Sequence, residues 1–191
     1  MTEQEVLDIF RKSGALLEGH FIYTSGRHGK HFLQASRVMQ FPNHVEALCR
    51  ALADHFKNDR IALVVGPATG GIVLAYETAR HLNCRCAFTE KDDVGGMALK
   101  RGIRIDEGTR VLVVEDIITT GGSVRKTVEH LRTRGAEVLG VGALVDRSGG
   151  EAKFDCPFRA LARLTLESFA ADDPRVVQLP GPPVDPDHLV G

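Results

Sequence analysis

Apolar positions along this chain change period several times, and each change marks out an element. Val6, Ile9 and Phe10 recur at helical spacing behind Thr2, with Glu5 three positions after it. That arrangement is a capping box opening a helix, which Ser13 and Gly14 stop. Residues 19–40 mix aromatic and β-branched side chains around Ser25 and Gly26 and predict short strands joined by a turn. Val45, Leu48, Leu52 and Phe56 share one face of a further helix. The run IALVV at 61–65 is apolar without alternation, the pattern of a strand buried on both faces of a parallel sheet. GPATGG at 66–71 breaks it, and a helical pattern continues to about Leu82.

A weaker strand signal covers 84–89, and the strongest covers 110–114. The latter leads through Glu115 and Asp116 into TTGGS at 119–123, then into a helix ending near Gly135. Residues 138–145 read as another buried strand. Residues 90–102 hold lysine, aspartate, glycine and arginine with few apolar anchors, and predict a mobile loop. From about Asp172 the chain is rich in proline, aspartate and glycine, and predicts an irregular or partly disordered cover. Strand, loop and helix in repetition define an α/β fold with a mainly parallel sheet flanked by helices.

Composition narrows the setting. The 191 residues suit one domain, and 43% hydrophobic with 26% charged residues is ordinary for a globular protein. A net charge of −1 provides no global field for nucleic acid or an anionic membrane. No apolar run reaches the roughly 20 residues of a membrane span, and the charged N-terminus does not read as a signal peptide. Cys49, Cys84, Cys86 and Cys156 form no C-x-x-C pair, so reduced cytoplasmic thiols are expected rather than a zinc site.

The candidate chemistry lies in VLVVEDIITTGGS at 111–123. A buried strand ends in two carboxylates, then a hydroxyl-rich turn opens a helix. The helix start offers free N–H groups and the positive end of a dipole. Gly121 and Gly122 admit an anion to the backbone, and Thr119, Thr120 and Ser123 add hydroxyls. Glu115 and Asp116 would repel a phosphate but accept hydrogen bonds from vicinal hydroxyls. Cradle and carboxylates together describe a ribose 5-phosphate site, at the strand end where open α/β sheets bind ligands. The string lacks the Gly-Lys-Ser/Thr ending of a Walker loop. The loop 66–71, also between strand and helix, has amides able to hold pyrophosphate.

This string resembles the phosphoribosyl pyrophosphate signature of the type I phosphoribosyltransferases. The resemblance implies that Glu115 and Asp116 hold the ribose hydroxyls, with Asp116 also counted among the catalytic residues. It places Ile117 and Ile118 in the phosphoribosyl pyrophosphate site, Thr119, Thr120, Gly121, Gly122 and Ser123 around the 5-phosphate, and Ala68, Thr69, Gly70 and Gly71 at the pyrophosphate. The segment GHFIYTSGRH at 19–28, with Phe32, Leu33 and Gln34 after it, resembles the hood of the orotate-using members. An arginine can bind a carboxylate through its fork. By resemblance, Arg147, Thr119 and Phe32 meet orotate. The likeness spans about 14–166. It implies a single domain over 1–191, with a hood at about 15–42 plus part of the C-terminal region, and a core at about 43–166.

The implied reaction joins orotate to the ribose 5-phosphate of phosphoribosyl pyrophosphate in pyrimidine biosynthesis. Mg²⁺ is the expected cofactor, with no protein metal ligand named, and a homodimer is the expected assembly. Neither nucleic acid nor membrane is an expected partner. Many members have a longer catalytic loop with several lysines and a histidine. Here that loop lacks a histidine, so Lys91 is the candidate catalytic cation and pyrophosphate contact, with Lys100 and Arg101 behind it. Thr24 stands where many members have lysine, leaving Arg27, His28 or Lys30 to compensate. The tail lacks the cysteine pair of some short members. Transfer to another base, or non-catalytic sensing of phosphoribosyl pyrophosphate, are the alternative readings.

Overall fold

The changes of period become two sheets of unequal size. The computed structural model describes residues 1–23 and 25–186. Helix α1 (Glu3–Lys12) opens on the expected capping box: Glu5 N donates to Thr2 Oγ1 at 3.2 Å, and Thr2 N donates to Glu5 Oε2 at 2.7 Å. Strands β1 (Leu16–Ile22) and β2 (His28–Leu33) pair antiparallel around the Ser25–Gly26 turn. The short α2 (Ser36–Met39) precedes α3 (Pro42–Asp54), which buries Val45, Leu48 and Leu52 along one stripe.

The core begins with β3 (Leu63–Pro67), followed by α4 (Gly70–Leu82), β4 (Arg85–Lys91) and β5 (Met97–Leu99). Then come β6 (Arg110–Ile118), α5 (Gly122–Thr133), β7 (Glu137–Asp146) and β8 (Phe158–Arg163). The six strands lie in the order β5-β4-β3-β6-β7-β8, and all pairings are parallel except β4 with β5. Alternate residues feed opposite faces. Val64, Leu112, Val114 and Leu144 pack under α1, α3 and α4; Val65, Val111, Val113 and Val141 pack under α5. Each such side chain, once buried, contributes about 1.5–3 kcal/mol.

Two short strands complete the smaller sheet. β9 (Ser168–Phe169) pairs with β2 and β10 (Pro183–Val184) pairs with β1, giving the order β10-β1-β2-β9. The chain after 172 is thus partly regular, with a 3-10 turn at Pro174–Gln178 whose Arg175 lies 4.3 Å above the Phe169 ring. Residues 187–191 of this tail lie outside the described residues.

The segment expected to be a mobile loop is largely a hairpin. Glu90 pairs with Ala98 and Lys91 with Met97, and Met97 is buried. Its anchors are few but well placed, and the Asp92 carboxylate closes the turn by accepting from Gly96 N at 2.6 Å and Val94 N at 3.1 Å. All four cysteines are free, and burial pushes the Cys49 thiol up to about 12. No helix among the described residues is long and apolar enough to cross a membrane.

Candidate active site

The carboxyl ends of β3, β6 and β7 lie side by side, so the loops that follow them share one rim. Two helices start there, and neither has a side-chain N-cap. Thr69 before α4 and Gly121 before α5 make no capping hydrogen bond, whereas α1, which the sequence signals with equal clarity, is fully boxed. Within these first turns Ile72 N donates to Thr69 O at 3.2 Å and Gly122 N to Thr120 Oγ1 at 3.4 Å; the neighbouring amides suit an external acceptor, which an anion supplies. Gly121 sits at φ +75, a conformation other residues resist, and so turns the chain from Thr120 into α5. The peptide between Ala68 and Thr69 is cis. Ala68 N donates to Thr89 O at 2.7 Å, which ties this loop to β4.

A cleft of about 260 Å³ opens over α5, lined by Glu115, Ile117, Ile118, Thr119, Thr120 and the residues 121–124, together with Lys126. Thr119, Thr120 and Ser123 are exposed, with their hydroxyls accessible. Arg125 braces the turn by donating to Thr120 O at 2.6 Å.

Glu115 and Asp116 are within β6 rather than beyond it, since the strand stays paired with β7 through Ile118. Both carboxyls are pushed up, Glu115 to about 8 by burial and then by the Asp116 charge, and Asp116 chiefly by burial. Their hydrogen bonds come from backbone: Asp116 N donates to Glu115 Oε1 at 3.2 Å, and Ile117 N to Asp116 Oδ1 at 2.6 Å. No ion pair among the described residues neutralises them. Two adjacent carboxyls with no cation form a site that hydroxyl donors or a metal ion would satisfy. Gly70 closes the other wall: a Cβ there would collide with the Asp116 carboxylate, so α4 starts in contact with it.

Arg147 follows β7 and is fixed by its own amide, which donates to Ile118 O at 2.7 Å. Its guanidinium stands 5.4 Å from the Tyr23 ring centroid, linking the core rim to the hood. It is not paired with Asp146, whose carboxylate is taken by Ser148 N at 2.9 Å and Ser148 Oγ at 2.6 Å. Phe32 lies against Phe21 within the hood, at 5.8 Å between centroids. Tyr23 is the aromatic that meets Arg147, and it is itself held by donating to His31 O at 2.5 Å.

Lys91 ends β4 on the same rim and is exposed; among the described residues its ammonium makes no hydrogen bond or ion pair. The other loop cations are engaged. Arg101 grips Glu90 at 2.9 and 3.1 Å, and Lys100 donates to Lys91 O at 2.8 Å. In the hood, Arg27 reaches Ser168, His28 meets His20 at 2.6 Å, and Lys30 pairs with Glu18 at 2.7 Å. Those three side chains hold the hood together; Thr24 lies outside the described residues. Sequence reasoning placed Tyr23 in the hood without its contact to Arg147, and passed over Lys126 and the buried pair Thr89 and Thr127. The available signal for Lys126 was its position one turn into the helix that the cradle opens.

The phosphoribosyl transferase domain family matches residues 34–162, and the chain belongs to that family. Among its members, the chain is similar over nearly its whole length to orotate phosphoribosyltransferases. That of Caldicellulosiruptor bescii is 46% identical over 173 residues, 91% of this chain and 90% of the relative. The solved orotate phosphoribosyltransferase from Aeropyrum pernix superposes with a TM-score of 0.67 at 27% identity, over 83% of this chain and 93% of that one. An adenine phosphoribosyltransferase from Rhodothermus marinus has the same fold, with a TM-score of 0.65 at 20% identity over 84% of this chain and 99% of that one.

Proposed function

We propose that this chain transfers the ribose 5-phosphate unit of phosphoribosyl pyrophosphate to orotate, giving orotidine 5′-monophosphate and pyrophosphate. The observation that carries this reading is the convergence, on one rim, of two uncapped helix starts, an uncompensated carboxylate pair and the Arg147 fork. The α5 cradle, from Thr119 to Ser123, takes the 5-phosphate, with Ile117 and Ile118 lining the same site. Ala68, Thr69, Gly70 and Gly71 take the pyrophosphate through backbone amides. Glu115 and Asp116 accept from the ribose hydroxyls.

Arg147 binds the orotate carboxylate, with Thr119 and Phe32 as the further orotate contacts, while Tyr23 holds the guanidinium plane. As the bond to pyrophosphate lengthens, negative charge grows on the leaving oxygens. Lys91 and the loop amides stabilise it, and orotate attacks the anomeric carbon through a ring nitrogen. The half-buried, unpaired carboxylates suit Mg²⁺ as cofactor, which Glu115 and Asp116 would hold. When bound, that ion supplies positive charge to the pyrophosphate.

The reading includes a cytoplasmic homodimer. Val73 and Tyr76 on α4 are exposed, just after the pyrophosphate loop, and a second copy placed there would abut the site. The test follows loss of orotate absorbance in the presence of phosphoribosyl pyrophosphate and Mg²⁺, with adenine, guanine, xanthine and uracil as competitors. Turnover confined to orotate is expected. Binding of phosphoribosyl pyrophosphate without orotate turnover would sink the base assignment.

A further inference from the structure

Lys126 belongs to two neighbourhoods at once. It lines the 5-phosphate cleft beside Gly121, Gly122 and Ser123. Its ammonium also donates at 2.6 Å to the carbonyl of Gly95, at the tip of the β4–β5 hairpin. The helix explains the double reach. Side chains on a helix lean toward its N-terminus, so residue 126 covers the turn in which the phosphate cradle lies. One turn further on, on the same face, His130 Nε2 accepts from Leu99 N at 3.0 Å. That bond needs a neutral imidazole. Burial, then the Arg134 charge, pull His130 below its ordinary value against the opposing Asp92. The hairpin is therefore tied to α5 at its tip and at its second strand. Asp92 braces its turn, and Lys91 stands at its base.

A phosphate dianion is a stronger acceptor for an ammonium than a neutral carbonyl. We propose that Lys126 is a 5-phosphate-binding residue that doubles as a latch: it holds the hairpin through the Gly95 carbonyl, and a 5-phosphate in the cleft takes it away and frees the hairpin. This rests on the ribose 5-phosphate site of the proposed function and adds an order of events to it. The substrate's 5-phosphate loosens the element whose base carries Lys91, so the loop cation becomes adjustable only after the sugar phosphate has docked. His130 lies outside the cleft and serves as the second tie, so the two residues separate by experiment.

The test uses the full chain and ribose 5-phosphate, which fills the cradle without offering pyrophosphate for the hairpin to close upon. Binding is measured by calorimetry, and backbone amide exchange is followed over residues 92–99. In the unaltered protein, ligand is expected to speed exchange across the hairpin. Lys126→Met should exchange fast without ligand, show no further change with it, and bind ribose 5-phosphate about tenfold more weakly. Lys126→Arg should restore both properties. His130→Ala should loosen the ligand-free hairpin and, because coupling is reciprocal, tighten ribose 5-phosphate binding rather than weaken it. A hairpin indifferent to bound ribose 5-phosphate, with orotate still turned over, overturns the latch and leaves the proposed function standing. A hairpin released by ribose 5-phosphate in a protein that turns over no orotate keeps the latch and removes the base assignment. Failure to bind ribose 5-phosphate overturns both.

Discussion

The hydroxyls of Thr89 and Thr127 meet at 2.8 Å in the interior, where neither residue has any exposed surface. Thr127 is on α5, which opens at the phosphate cradle. Thr89 is on β4, and its carbonyl holds the Ala68 amide of the second loop. The two anion loops are thus referenced to each other through one buried hydrogen bond. Thr127→Val is expected to strand the Thr89 hydroxyl and cost about 1–3 kcal/mol. It should also raise KM for phosphoribosyl pyrophosphate, while Thr127→Ser recovers both. Denaturant unfolding beside steady-state kinetics checks this; loss of stability with unaltered KM would mean the pair serves the core alone.

The carboxylate pair predicts an opposition between stability and activity. In the folded chain Glu115 is raised from 4.5 to about 8. The folded state then binds the proton more tightly than the unfolded chain. Its contribution to stability is complete below about 4.5 and is lost as pH rises through about 8. Glu115→Gln removes the charge, so without ligand it should melt higher at pH 8, by about 1–2 kcal/mol, with a flatter pH profile. Its turnover should fall by about a hundredfold. Melting curves from pH 5 to 9 at roughly unit steps test the sign; a profile as steep as that of the unaltered chain would refute it.

Gly70→Ala places a methyl group against the Asp116 carboxylate. Because α4 starts at this residue, displacement would shift the loop amides and the carboxylate together. A fall in kcat/KM of about 10²-fold is expected from a misplacement near 1 Å, with the protein still folded. Circular dichroism beside the orotate assay separates this from unfolding.

Arg147→Ala should raise KM for orotate far more than KM for phosphoribosyl pyrophosphate, with a loss of about 1.5–3 kcal/mol for the charged hydrogen bonds. Arg147→Lys should recover little, because the ammonium has no fork. Equal effects on both substrates would argue against a base-side role.

Removing divalent cations with a chelator should abolish turnover and lower the melting temperature only slightly, by the mass-action loss of an ion bound at Glu115 and Asp116. A melting shift of several degrees would mean that the metal is structural.

The core was legible because its strands are continuous apolar runs: 61–65 and 110–114 could be little else, and each points to the loop after it. The turn from β6 into α5 was legible for the same reason. β8 was not, since FRALAR interleaves arginines with small residues and buries only Leu161 and Ala162 fully. β5 was hidden by its three-residue length, and its place depends on pairing with β4 and on the buried Met97. Tyr23 was read as part of a hood segment and not as a neighbour of Arg147, because a contact across 124 positions has no period. Lys126 looked like any solvated helix lysine; only the hairpin folded back onto α5 gives it a second partner.

The smaller sheet joins β1 and β2 from one end of the chain to β9 and β10 from the other. During synthesis the core strands, local in sequence and N-terminal to β9, can assemble first. The six-stranded sheet can therefore take shape on the ribosome while β1 still waits for its far partner. The smaller sheet closes only when residues 183 and 184 arrive, so whatever that sheet contributes under the proposed function is the last thing the growing chain acquires.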